Sequence, residues 1–348
     1  MHGKRTIPNQ GLISMDIALV GFGSVGKGVA QVFSKKQNQL RQKYDLSFSF
    51  KGIFTSKGAF LDSNGLDLQS ILNIRDLTAH SLWNNDLSFM ESIDDLDVDL
   101  VIEVTPTNIE HGEPGKSHII SSIKKGCDVV TANKGPLVVA FNELTQLAQQ
   151  NDSILRYEGS VGGGLPVFNL VRKTLQGNTI HSLRGILNGT SNFILTQMTY
   201  ERTSFEGALK TAQELGYAEA DPAADVEGID AASKTVILAN GLFGMNKNID
   251  DVYIQGITKI TPEAIKLAGD DNFLIKHIAS IEDGQIEVAP RLIPVTSTLA
   301  VNGTLNVVSL QTDLAKEITI IGRGAGGEET ASAILSDVVD IHLTRLTQ

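Results

Sequence analysis

Hydrophobic positions follow two periods along this chain. Apolar runs at 15–21 (MDIALVG), 99–105 (DLVIEVT), 127–131 and 154–158 are short and nearly unbroken, as in strands buried on both faces. Between them, 27–43, 116–125 and 141–150 carry apolar residues at helical spacing. LSFSFKGIFT at 46–55 alternates and predicts a second strand, whereas 58–95 is polar and irregular, with room for a short helix or two. Strand–helix alternation of this kind predicts an α/β fold, a Rossmann-type doubly wound parallel sheet with its sites at the carboxyl ends of the strands. After Pro166 the character changes: helical stretches at 168–175 and 205–216, and one starting at 188–190, share the chain with strand-like runs at 179–187, 275–281, 286–292, 305–310 and 317–321. These suit a mixed sheet in a second, α+β domain. The expected division is 15–160 for the nucleotide-binding domain, joined by a closing helix within 322–345, and 161–321 for the second domain; 1–14 reads as a leader or a disordered segment.

The first strand turns directly into GFGSVG at 21–26, followed by a helix. This is the strand, G-x-G-x-x-G, helix order of dinucleotide binding. Gly21 permits the tight turn, Gly23 lets the backbone approach a pyrophosphate, and Gly26 lets the helix pack on the strand, with Phe22, Ser24 and Val25 completing the loop. The helix start offers free N–H groups and the positive end of its dipole. The same residues followed by Lys27 resemble an NTPase phosphate loop, but that loop needs Ser or Thr next and this chain has Gly28. At the end of the second strand, where an acid would bind a ribose hydroxyl in an NAD site, stand Thr55, Ser56 and Lys57. Two hydroxyls and a lysine suit a 2′-phosphate, which predicts NADPH over NADH; a plain polar turn is the alternative. Thr105, Lys134 and Glu158 also fall at carboxyl ends of predicted strands.

The densest chemistry lies at 215–234, LGYAEADPAADVEGIDAASK. Asp221 before Pro222 reads as a helix N-cap, and from Ile229 the pattern is helical, so Asp230 and Lys234 stand one turn apart on one face. Such a pair is usually a solvated surface bridge. Here the helix continues as TVILAN, an apolar run, and a lysine entering it beside a carboxylate cluster is a candidate for chemistry.

Composition narrows the partners. Twenty-nine Lys and Arg against forty Asp and Glu give a net charge of −11, with no basic patch interleaved with aromatics, which argues against nucleic acid. The single cysteine, Cys127, lies in an apolar run and reads as core; His111 and His118 lack metal-ligand spacing and read as structural. No apolar stretch approaches a membrane span, and 1–14 has no signal-peptide core, so a cytoplasmic protein is expected.

Six motifs, GFGSVG, TANK, SVGGGLP, GILNGTSNFIL, LGYAEADPAADVEGIDAASK and GRGAGG, occur in an order and spacing that resembles the homoserine dehydrogenases from about Met15 to Leu343. The resemblance implies NAD(P)H-dependent reduction of L-aspartate 4-semialdehyde to L-homoserine, on the route to threonine, isoleucine and methionine. It implies that residues 23–25, Thr105, Lys134, Gly216 and Gly326 hold the cofactor. Glu219 would bind the substrate ammonium, Asp230 and Lys134 would position the substrate, and Lys234 would be the proton donor. The family's sodium would be held by Glu158, Val161, Gly163 and Leu165, largely through backbone carbonyls, donors suited to a hard cation; a tight interdomain turn is the other reading of this stretch. The second domain is expected to bind substrate and to form a homodimer through the mixed sheet, and the chain to be monofunctional, without a C-terminal regulatory domain. Lys134 and Lys234 are expected to converge on the reacting oxygen and to repel one another. The rival readings are another dehydrogenase of an amino-acid-derived carbonyl, or a non-catalytic NADP-binding sensor; the intact Lys134, Glu219, Asp230 and Lys234 argue against the sensor.

Overall fold

The computed structural model describes residues 13–347. The proposed leader therefore lies outside the described residues except for Ile13 and Ser14, which already belong to the first strand. That strand, β1 (Ile13–Val20), is followed by α1 (Ser24–Tyr44), β2 (Leu46–Thr55), β3 (Gly58–Leu61), α2 (Leu68–Leu72), β4 (Trp83–Asn84) and α3 (Phe89–Ser92). Next come β5 (Leu100–Glu103), α4 (Gly115–Lys125), β6 (Asp128–Thr131), α5 (Lys134–Gln150) and β7 (Leu155–Arg156). The strand order is β4-β3-β2-β1-β5-β6-β7. β2, β1, β5, β6 and β7 run parallel, but β3 pairs antiparallel with both β2 and β4, so the sheet is mixed rather than purely parallel. The two extra strands come from the stretch expected to be irregular; they are only four and two residues long and carry no periodicity to read.

β1 and β5 are apolar apart from Ser14, Asp16 and the terminal Glu103, and their apolar residues from Met15 on are covered on both faces. Ile17 and Leu19 enter the core under α1, whereas Ala18 and Val20 pack on the opposite side with Phe54 and Phe89. β2 alternates, placing Phe48 and Phe50 edge-on to Phe33 of α1 with centroids 5.1 and 5.5 Å away. Such aromatic pairs add roughly 0.5–1.5 kcal/mol each beyond burial.

The second unit holds α6 (Val167–Thr174), β8 (Ile180–Ile186), α7 (Gly189–Tyr200), α8 (Phe205–Glu214), α9 (Ala223–Val226) and α10 (Ile229–Phe243). It continues through β9 (Val252–Ile254), α11 (Pro262–Asp270), β10 (Phe273–Glu282), β11 (Gln285–Pro294), β12 (Leu305–Thr312) and β13 (Glu317–Arg323). The sheet order is β13-β12-β8-β10-β11-β9, antiparallel except for the β9–β11 pair, which matches the mixed sheet expected. α10 lies across this sheet with residues 231–240 all buried, so its apolar run has no solvent face. The chain then returns: α12 (Gly327–Arg345) packs Ala331, Ile334, Val338 and Ile341 into the core beneath β1 and α1. No helix among the described residues is long and apolar enough to cross a membrane.

Candidate active site

Between the two sheets runs one cleft of about 1960 Å³. Its walls bring together residues far apart in sequence: the 21–25 loop, Lys57, Thr105 and Lys134 from the first unit, and Gly216, Glu219, Asp230 and Lys234 from the second, with Gly326 before α12. Val161 and Gly163 also line it, whereas the expected metal ligands Glu158 and Leu165 are buried behind the surface, as is Gly26.

The glycine-loop end is built from backbone. Gly21 has φ +104°, and a Cβ there would come 2.5 Å from the Val104 carbonyl oxygen, so the turn admits glycine alone. Gly23 caps α1 with no side-chain hydrogen bond, and the first turn holds no acidic residue. Unclaimed N–H groups and the helix dipole fit a diphosphate. At the far end Ser56 and Lys57 are exposed, but the Thr55 hydroxyl donates to the Gly58 carbonyl and accepts from the Lys57 N–H, both at 3.0 Å. Thr55 therefore shapes the β2–β3 turn, and its hydroxyl proton is engaged there; Arg75 also lines the cleft.

At the other end Asp230 is the centre. Its Oδ1 lies 3.1 Å from the Lys134 ammonium and its Oδ2 2.7 Å from that of Lys234. Lys234 also donates to the Leu187 carbonyl at 2.8 Å, and its side chain is 9% exposed, so the pair is not a solvated surface bridge. Burial pushes the Asp230 carboxyl up, but the Lys234 and Lys134 charges and the hydrogen bonds from Lys234 and Asn188 outweigh it and hold the group well below the usual carboxylate range. The two ammoniums do not face each other bare, as the sequence led one to expect; a carboxylate separates them and offsets their repulsion. α5 begins seven residues earlier than its apolar pattern suggested, capped by Asn133, and this puts Lys134 at the helix start facing Asp230. Glu219 is exposed on the loop between α8 and α9, and its carboxylate makes no ion pair among the described residues.

Three residues organise the site in ways the sequence did not show, although Asn188 was expected, with Thr190, as a candidate helix cap. Asn188, the α7 N-cap, accepts from the Ser191 N–H and donates through Nδ2 to Asp225 at 2.5 Å and Asp230 at 3.0 Å. Burial and the nearby Asp230 raise the Asp225 carboxyl despite that hydrogen bond. Glu103, fully buried at the end of β5, accepts from the Thr105 N–H and hydroxyl and from Thr131. Asn133 donates to the Thr105 hydroxyl at 3.3 Å, completing the link between β5 and α5. An acid inside the apolar run DLVIEVT was the one available signal. Cys127 is core, as read: its thiol donates to the Val98 carbonyl, and burial pushes it up to about 11.

Family models of the homoserine dehydrogenase NAD-binding domain and of homoserine dehydrogenase match residues 21–158 and 166–339. The chain belongs to the homoserine dehydrogenase family. It is 49% identical to the homoserine dehydrogenase of Methanocaldococcus jannaschii, covering 94% of this chain and 98% of the relative. It is 39% identical to the NAD(+)-dependent homoserine dehydrogenase of Pseudomonas canavaninivorans, over 94% and 96% of the two chains. Among solved structures, a putative homoserine dehydrogenase from Archaeoglobus fulgidus superposes with a TM-score of 0.87 at 41% identity, covering 94% of this chain and 99% of that one. Its activity is that of an NAD(P)-dependent homoserine dehydrogenase, and its fold is the α/β arrangement of homoserine dehydrogenases, a Rossmann-like sheet followed by a second mixed sheet.

Proposed function

We propose that Lys234 is the proton donor in the reduction of L-aspartate 4-semialdehyde to L-homoserine. The observation that carries this is the buried Asp230 carboxylate, with Lys134 on one oxygen and Lys234 on the other at the cleft wall. An ammonium has three N–H donors. Asp230 and the Leu187 carbonyl take two from Lys234, leaving one for a substrate oxygen. Bound nicotinamide supplies the hydride. Charge then builds on the former carbonyl oxygen, and Lys234 delivers a proton there while Asp230 fixes the lysine's direction. Lys134 adds positive charge near the same oxygen and shares in substrate positioning. Glu219 pairs with the substrate ammonium; being exposed, it acts through modest affinity rather than on the barrier.

The cofactor contacts are the 21–25 loop, Thr105, Lys134, Gly216 and Gly326, with Lys57 toward a 2′-phosphate, which favours NADPH. Lys57 has no ion pair among the described residues. The same reading assigns a sodium ion to the turn after Glu158. Both Glu158 carboxylate oxygens are taken by the N–H groups of Phe168 and Asn169, so this residue would offer its carbonyl, alongside those of Val161, Gly163 and Leu165. A homodimer through the second sheet is supported by the exposed apolar side chains Leu292 and Ile321 on its strands. The test of cofactor choice is steady-state reduction of L-aspartate 4-semialdehyde with NADPH and NADH by wild type and Lys57→Ala. The substitution should weaken NADPH by several-fold and leave NADH nearly unchanged; equal wild-type affinity for both, unmoved by the substitution, would overturn the preference. The NAD(+)-dependent Pseudomonas relative is the reason to measure both.

A further inference from the structure

One buried polar group has no part in the chemistry above. Asn306, second residue of β12, is 1% exposed, and neither its Nδ2 nor its Oδ1 finds a hydrogen-bond partner among the described residues. Orphaned buried amides are rare, because the unmade bonds are costly. This one lines the cleft.

Its neighbours fix where. Val307 pairs with Ile186 across β12 and β8, which sets Asn306 beside Leu187, the residue whose carbonyl holds the Lys234 ammonium. On its other flank Asn306 pairs with Gly322 of β13, and its amide presses on the glycine loop: a Cβ at Gly324 would lie 1.9 Å from Asn306 Nδ2. That loop leads to Gly327, where a Cβ would lie 3.2 Å from the Ser24 carbonyl oxygen of the first glycine loop. Asn306 thus stands between the proton-donating lysine and the loops that cradle the cofactor. A hydride donor must occupy that interval, since the carbon it reduces carries the oxygen that Lys234 protonates.

We infer that Asn306 orients the nicotinamide ring by pairing with its carboxamide. A primary carboxamide presents a donor and an acceptor side by side, and the asparagine amide presents the complementary pair. Two hydrogen bonds would satisfy both orphaned atoms at once. The substrate ammonium donates only and its carboxylate accepts only, so each would satisfy one. Gly324 is the accompanying requirement, since any side chain there would displace the amide. The inference rests on the dehydrogenase activity and adds a cofactor-orienting residue to it.

Binding of NADP⁺ and of its 3-acetylpyridine analogue, in which a methyl replaces the amide NH₂, tests it by calorimetry on wild type and Asn306→Leu. Wild type should bind the analogue about three- to tenfold more weakly, the value of one neutral hydrogen bond. Asn306→Leu should weaken NADP⁺ by at least that factor and bring the two ligands to near-equal affinity. Its ligand-free melting temperature should match or exceed wild type, because an unsatisfied amide has been replaced by an apolar group of similar shape. A wild-type preference for NADP⁺ that persists in the variant would overturn the proposal. Should the leucine variant fail to fold, Asn306→Ala is titrated with the same two ligands and the same ratio decides. Homoserine oxidation by wild type is followed in parallel: its absence would count against the activity itself, whereas an unchanged ratio in an active enzyme counts against Asn306 alone.

Discussion

Asp230 would favour its neutral form if burial acted alone; two lysines and an asparagine reverse that. The i, i+4 spacing of Asp230 and Lys234 could be read from the sequence, because both lie on one helix face. Asn188 could not: its hydrogen bond to Asp230 spans 42 positions and depends on how β8 hands over to α7. The same asparagine caps α7, so Asn188→Ala removes a cap and leaves two neighbouring carboxylates each one donor short. We predict a stability loss of about 1–3 kcal/mol in urea unfolding, from the lost cap and the unsatisfied acceptors. Turnover should fall with it, since Asp230 loses part of its support. Unchanged unfolding would mean that solvent replaces Asn188 at no cost.

At the scale of elements, long periodic segments were legible and short ones were not. β2 has the bounds its alternation predicted, and β10 to β13 stand where apolar runs placed them, with ends extended by at most two residues. β3, β4 and β9 are two to four residues long, and pairing with a neighbour rather than sequence pattern makes them strands. α11 was passed over as well, although Thr261 caps it and Pro262 opens it. β10 also carries a group that periodicity concealed. Lys276 is 2% exposed, and its ammonium donates to the Val301 carbonyl, Asn192 and Asn302, fastening the 295–304 loop to α7. No carboxylate forms an ion pair with it among the described residues, and burial lowers its pKa to about 8. A lysine depressed in the folded state binds fewer protons there than when unfolded, between about pH 8 and its ordinary value near 10.4. Its contribution to stability is therefore constant below pH 8 and rises with pH across that window. Wild type should gain roughly 2–3 kcal/mol relative to Lys276→Met from pH 8 to pH 10. A pH-independent difference between the two would show that Lys276 titrates alike in the folded and unfolded chains, so that burial does not depress it.

Across the whole molecule, the cleft exists because the chain folds back. β1 and α1 make the cofactor end, α10 carries the acid–lysine pair, and α12 returns to pack on α1 after the second glycine loop. The six motifs already point to the family in the sequence, and the Rossmann order of the first half is visible in its strand–helix alternation. The burial of Lys234 could be suspected from the apolar run beyond it, but its geometry rests on Leu187 and Lys134, 47 and 100 positions away. That geometry is the central claim, and one preparation of Lys234→Ala tests it. Turnover of L-aspartate 4-semialdehyde, NADPH affinity and melting temperature are measured on that same sample. A positioned proton donor predicts turnover lower by roughly 10²–10⁴ with cofactor affinity nearly unchanged, because the phosphates are held apart from it by the 21–25 loop. A folded variant with a lowered melting temperature and near wild-type turnover would contradict the account, leaving Lys234 a buried structural partner of Asp230.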